Sequence, residues 1–133
     1  MTIDFFKEFQ DPYLHSPEGQ GAFLAGICLG QLANRQIQNG GKIDDSPLFK
    51  QMNFGKMTMR DLHRHLSRVP ELTRAYHLGN AATVEMIMSK AGALLLQAGS
   101  DEMGVKGNFA FTIAFMNSYE YIKKMFQDAK EAE

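Results

Sequence analysis

The chain has 133 residues, of which 44% are hydrophobic and 22% charged, and its formal net charge is −1. That length supports one domain with a real core, and that balance of apolar and charged residues excludes an intrinsically disordered chain. No apolar run approaches the roughly 18 residues that crossing a bilayer requires; the longest, Ala22 to Leu29, reads as buried helix.

The opening MTIDFFKEF carries acids and lacks the basic-then-apolar order of a signal peptide. A lone Cys28 excludes an internal disulfide framework, so the reducing cytoplasm is the expected compartment. Placed between Ile27 and Leu29, Cys28 reads as a small buried hydrophobe rather than a nucleophile.

Apolar positions recur at three- and four-residue spacings, with glycines between the periodic stretches. This predicts an all-α, single-domain bundle of about five helices over residues 1–133. A short helix spans Ile3 to Phe9 and stops near Pro12. The second has Ser16 as N-cap, Pro17 at its first position and Glu18 in the first turn, and it runs to about Gln38. Gly40 is placed to end it at positive φ. A polar loop from Gly40 to Ser46 leads into a connector tethered by Phe49, Met52 and Phe54. The third helix starts at Thr58, where Asp61 suits the first turn although a capping box ordinarily carries Glu or Gln. Val69-Pro70 breaks it before it resumes over Glu71 to His77. The fourth, capped by Asn80, ends at Gly99. A turn-rich link from Asp101 to Gly107 enters the fifth, Asn108 to about Lys130.

Ala22, Gly26 and Gly30 repeat every four residues and make one smooth stripe. A helical glycine costs up to about 1 kcal/mol against alanine, so the stripe needs the compensation of a closely packed backbone, inside the fold rather than at a subunit interface. In the last helix Phe111, Phe115, Tyr119, Ile122 and Phe126, with Ile113 and Met116 beside them, predict a wide core face.

The search for catalytic chemistry is mostly negative. Gly19, Gly21 and Gly26 fall inside a helix, where they cannot form a phosphate-cradling loop. No cysteine pair suits zinc, and no Glu-x-x-His suits a carboxylate-bridged metal. His63 and His65 point to different helix faces. Asp61 and His65 share one, but two ligands beside three arginines do not make a metal site. Ser16 beside His15 is explained by capping, and no serine–histidine–aspartate order reports a triad. No enzyme activity, metal, cofactor or small-molecule substrate is expected.

Charge distribution says more than the total. From Lys42 to His77 seven basic residues (Lys42, Lys50, Lys56, Arg60, Arg64, Arg68, Arg74) face four acids (Asp44, Asp45, Asp61, Glu71), leaving that segment at +3 and the remainder at −4. Arg60, Arg64 and Arg68 follow at i+4, a spacing that lines three guanidinium groups along one helix face, and Lys56 extends the row. Like charges at that spacing destabilise an isolated helix by roughly 0.2–0.5 kcal/mol per pair. A polyanion reverses the sign, and phosphates along a strand suit a row of arginine forks. The plainer reading is a solvated face screened by Asp61 and Glu71. Since a sequence pI near 6.4 is low for an autonomous nucleic-acid binder, the pattern fits a protein that meets nucleic acid within a larger assembly.

The run Gly21 to Gln36 (GAFLAGICLGQLANRQ) resembles a helix from the C-terminal region of the type I-B CRISPR-associated large-subunit family. Ser46 to Phe54 (SPLFKQMNF), then Met59, Leu62, Leu66, Val69-Pro70-Glu71-Leu72 and Tyr76, follow that family's order of anchor, basic helix, proline and second half-helix. Phe109 to Tyr119 (FAFTIAFMNSY) resembles its closing helix, so the likeness covers most of residues 15–126. This chain is richer in Met and His than the family pattern. That region can also be made as a separate polypeptide, the small subunit of the Cascade surveillance complex, and a chain beginning with Met at the edge of the likeness fits that form. The resemblance implies a non-enzymatic helical bundle that touches the backbone and large subunits and further copies of itself. It would help hold target DNA and the displaced strand of the guide RNA–target DNA R-loop, an exchange so nearly balanced that backbone contacts can tip it. The expected phosphate-contacting residues are Arg60, Arg64 and Arg68, then Lys56, Lys50 and Arg74, with Arg35 and Lys42 as outliers. The competing expectation is a helical protein–protein adaptor whose arginine row binds an acidic partner.

Overall fold

The computed structural model describes the backbone of residues 3–37, 40–99 and 102–132, and the side chains of residues 5–37, 40–99 and 102–126. Short 3-10 turns, Ile3–Glu8 and Pro12–His15, precede helix α1 (Pro17–Gln36); a further 3-10 turn, Ile43–Asp45, leads to α2 (Pro47–Gln51). Then follow α3 (Met59–Ser67), α4 (Val69–Ala75), α5 (Ala81–Ala98), α6 (Gly104–Met116) and α7 (Ser118–Ala132). The fold is all-α, with seven helices among the described residues rather than about five. The connector after Ser46 is itself a helical turn, and the expected third and fifth helices are each divided in two. Among the described residues no helix is long and apolar enough to cross a membrane.

Helix α1 is the axis. Ser16 caps it, its Oγ accepting from the Gly19 N–H at 3.0 Å, and Pro17 occupies the first turn, where its missing N–H costs nothing. Every residue from Gly19 to Ala33 is buried, the pattern of a helix enclosed on all sides. Helix α1 ends at Gln36, with Ile37 extended; Gly40 does adopt φ +84° but lies past the helix, in the turn that follows. The expected end at Gln38 lies outside the described residues.

The small-residue stripe packs inside the fold. A Cβ at Gly26 would lie 2.5 Å from the Phe111 carbonyl oxygen, and one at Gly30 would lie 2.5 Å from both the Phe115 carbonyl oxygen and Ser118 Cβ. Neither gap accepts a methyl group, so α6 approaches α1 at glycine distance. Gly21 receives Leu95 of α5 in the same way. Cys28 is buried as expected, its Sγ donating to the Val84 carbonyl at 3.4 Å, and burial pushes the thiol's pKa up, away from thiolate chemistry.

The expected last helix begins earlier, at Gly104, and breaks at Asn117. Ser118, fully buried, starts α7: its Oγ donates to the Ile27 carbonyl and accepts from Gln31 Nε2, both at 2.8 Å, while Gln31 Oε1 accepts from Asn80 Nδ2 at 3.3 Å. Phe111, Phe115 and Ile122 are core as expected, whereas Tyr119 (63% exposed) and Phe126 (49%) face outward: steps of four drift off a 3.6-residue repeat, and the buried line runs instead through Ser118 and Met125. At the other end Phe5, Phe6 and Phe9 gather around Phe23, which meets Tyr121 edge-on with ring centroids 4.8 Å apart, tying the first turn to α1 and α7.

Two glycine substitutions should act in opposite directions. Gly30→Ala should lower stability by about 1–3 kcal/mol through overpacking. Gly92→Ala, on the exposed side of α5 where a Cβ meets nothing within 4 Å, should raise it by about 0.5–1 kcal/mol. Urea unfolding midpoints of the two variants check both signs.

Candidate nucleic-acid interface

The segment from Ser46 to Arg68 is built to hold a basic helix against the core. Ser46 caps α2 by accepting from the Phe49 N–H, and the Leu48 N–H donates to Gln36 Oε1 of α1 at 2.9 Å. Leu48 and Met52 are buried, and Phe49 and Phe54 stack in a cluster with Phe111 and Phe115, which is the expected anchoring of the connector. Gly55, at φ +86°, makes the turn that follows in the left-handed region glycine favours. Asn108 of α6 then clasps Met57: its Oδ1 accepts the Met57 N–H at 2.8 Å and its Nδ2 donates to the Met57 carbonyl at 3.1 Å.

Helix α3 starts at a reciprocal cap. The Asp61 N–H donates to Thr58 Oγ1 at 3.0 Å and the Thr58 N–H donates to Asp61 Oδ2 at 3.1 Å, so aspartate closes the box that usually needs a longer acid. Those bonds to Thr58, with a smaller contribution from Arg64, hold the Asp61 carboxyl below the ordinary carboxylate range. Met59, Leu62, His65 and Leu66 face the core, and Arg60, His63, Arg64 and Ser67 face outward.

Of the expected row, Arg60 and Arg64 are exposed one turn apart. Arg64 Nη2 lies 3.3 Å from Asp61 Oδ1, a surface pair worth at most about 1 kcal/mol. Arg68 occupies the break between α3 and α4, where Pro70 follows; half-buried, its Nη1 donates to Gln51 Oε1 of α2 at 3.0 Å. It is fixed by a neutral amide, so its charge is uncompensated while its reach is set by α2 rather than by α3. The row of three is therefore two outward arginines and one anchored.

Lys50 is exposed on α2 next to Gln51, and Lys56 is exposed beyond Gly55, at the start of α3. Arg35, Arg74 and Lys42 lie elsewhere. Arg35 Nε donates to the Tyr76 carbonyl at 2.9 Å, finishing the end of α4, whose last turn carries Arg74. Lys42 precedes the 3-10 turn Ile43–Asp45, with its N–H donating to Asp45 Oδ2. The structure thus gathers Lys50, Lys56, Arg60, Arg64 and Arg68 around α2 and α3 and leaves the other three apart.

Sequence reasoning missed what faces this edge from α6. Val105 is 86% exposed and Phe109 64%. A hollow of about 380 Å³ is lined by Gly55, Lys56, Thr58, Glu102, Val105 and Asn108 among others. It adjoins one of about 360 Å³ that shares Gly55, Val105 and Asn108 and continues to Phe54, Phe109 and Thr112. The available signal was phase: Phe109 lies two residues before Phe111 and therefore on the far side of the helix from Phe111 and Phe115. Asp61 and His65 do not form a metal site, the first being committed to the cap and the second buried; among the described residues no three His, Cys, Asp or Glu come together to hold an ion.

Fold and face define an all-α module with an exposed cationic edge beside an exposed aromatic ring. A family model of the C-terminal domain of the CRISPR-associated protein TM1802 matches residues 2–130, and the chain belongs to that family. No curated protein and no solved structure matches the chain.

His65 gives the region a pH response. Burial, then the neighbouring Arg64 and Arg68, lower its pKa against the raising influence of Asp61, so the folded state disfavours the imidazolium. The unfolded chain takes up that proton first on acidification, so stability present above the ordinary histidine pKa should be lost as pH falls from about 7 to 5. His65→Leu should flatten that decline, read from melting temperatures across the pH range.

Proposed function

We propose that this chain acts as a non-catalytic helical subunit of a type I CRISPR Cascade complex. It packs against the backbone and large subunits and further copies of itself, and it retains DNA strands of the R-loop through sequence-independent phosphate contacts. The observation that carries this reading is the exposed, net-positive edge of Lys50, Lys56, Arg60, Arg64 and Arg68, with Asp61 the one acid facing it on α3 and that acid tied into a cap. Membership of the CRISPR-associated family supports the setting. A row of guanidinium groups on a rigid helix meets phosphates at low entropic cost, and R-loop formation is balanced closely enough for such contacts to matter. The adaptor reading differs in predicting indifference to competing DNA.

Co-purification with the other CRISPR subunits and guide RNA, followed by R-loop lifetime measurements, tests the proposal. Arg60→Ala with Arg64→Ala should leave the chain folded and assembled yet shorten the R-loop lifetime. The dependence of log affinity on log salt should become shallower by about 0.7–0.9 for each phosphate no longer neutralised. An unchanged lifetime and salt slope would overturn the assignment of these arginines.

A further inference from the structure

We infer that Phe109, with the hollow between the Gly55–Thr58 turn and α6, is a stacking site for an unpaired base of a single strand whose phosphates follow the Lys56–Arg60 edge. The inference rests on the phosphate-binding reading above and adds a strand preference to it.

Three observations converge. Phe109 spends an aromatic ring on solvent while Phe111 and Phe115, on the same helix, are fully buried. The ring borders a recess whose floor is open: Gly55 has no side chain, and a Cβ there would meet nothing within 4 Å. Cations stand to either side, Lys56 lining the adjoining hollow from the connector and Lys106 on α6 one turn before Phe109, with Arg60 a turn further along α3; Glu102 is the one acid lining either hollow.

Exposed rings set among cations are how proteins hold single strands without reading sequence, since every base offers a π-face while the phosphates answer to the charges. A duplex keeps its bases stacked on each other and cannot use the ring. The same surface could instead receive an apolar partner protein, given Val105 beside Phe109 and Met116 on the same helix. The flanking lysines and the scarcity of acid favour the polyanion.

The test uses the purified full chain and fluorescence anisotropy with labelled oligothymidylate of about 15 nucleotides, its duplex with oligoadenylate, and an abasic strand of equal length. Phe109→Ala should weaken single-strand binding about five-fold or more, with the salt slope and duplex affinity unchanged, and Phe109→Tyr should restore it. Wild-type affinity for the abasic strand should match that of Phe109→Ala for oligothymidylate. Lys56→Ala should instead lower affinity for all three probes and reduce the salt slope. Equal binding of abasic and normal strands, or wild-type affinity in Phe109→Ala while Lys56→Ala is weakened, overturns the stacking site and spares the phosphate edge. Loss of assembly with the other CRISPR subunits in Phe109→Ala, with oligothymidylate binding intact, assigns the ring to a protein contact and likewise overturns it. No binding of any probe by the wild-type chain overturns the stacking site, while the phosphate edge is judged separately by the R-loop lifetime of the assembled complex.

Discussion

Helix α1 meets α6 at glycine distance, where Gly26 and Gly30 present bare backbone to the carbonyls of Phe111 and Phe115. Both helices advance by four residues between these touching points, so a one-turn row on one matches a one-turn row on the other. The helices run in the same sense here, and α5 returns antiparallel, its Val84 opposite Cys28 and its Leu95 opposite Gly21. Close packing of this kind leaves no freedom to slide. The second glycine also lies against Ser118, the residue that opens α7. The hydroxyl of Ser118 bonds to Ile27 and Gln31 on the same turn of α1. Glycine stripe and helix break are thus two halves of a single joint.

How much of this was visible beforehand follows from the range of the signals. Local chemistry was legible: Ser16 and Pro17 at the start of α1, Thr58 and Asp61 at α3, the interruption at Val69-Pro70, and Gly99 in the left-handed conformation after α5. The stripe of small residues was legible as well, since helical glycine has to be compensated. The break at Asn117 was not. No proline or glycine marks it, and the bond that ties Ser118 to Ile27 there spans ninety-one positions in sequence, which no local rule contains. Tyr119 and Phe126 were misplaced as core for a separate reason: steps of four drift off the helical repeat, and Ser118 and Met125, three residues after Phe115 and Ile122, hold the buried line.

The cationic edge was half legible. Spacing at i+4 correctly placed Arg60 and Arg64 side by side, because both lie within a regular helix. Arg68 differs because its position follows from Gln51 on another helix. The exposed ring of Phe109 escaped notice for a related reason: the eye follows the longest apolar run, and the solvent-facing position within a run is told only by phase. Charge and aromatic surface come together through the turn at Gly55, whose positive φ brings Lys56 toward α6.

The grip of Asn108 on Met57 has a consequence for what this position can be. A carboxamide offers a donor and an acceptor side by side, so it pairs with the N–H and carbonyl of one residue as a neighbouring strand would, in a protein whose described residues contain no strand. Aspartate would set a second oxygen against the Met57 carbonyl, glutamine would overshoot by a methylene, and leucine would leave a buried amide and carbonyl bare. Residue 108 is thereby close to a one-letter alphabet, narrower than the apolar side-chain positions around it, where one hydrophobe can usually stand in for another.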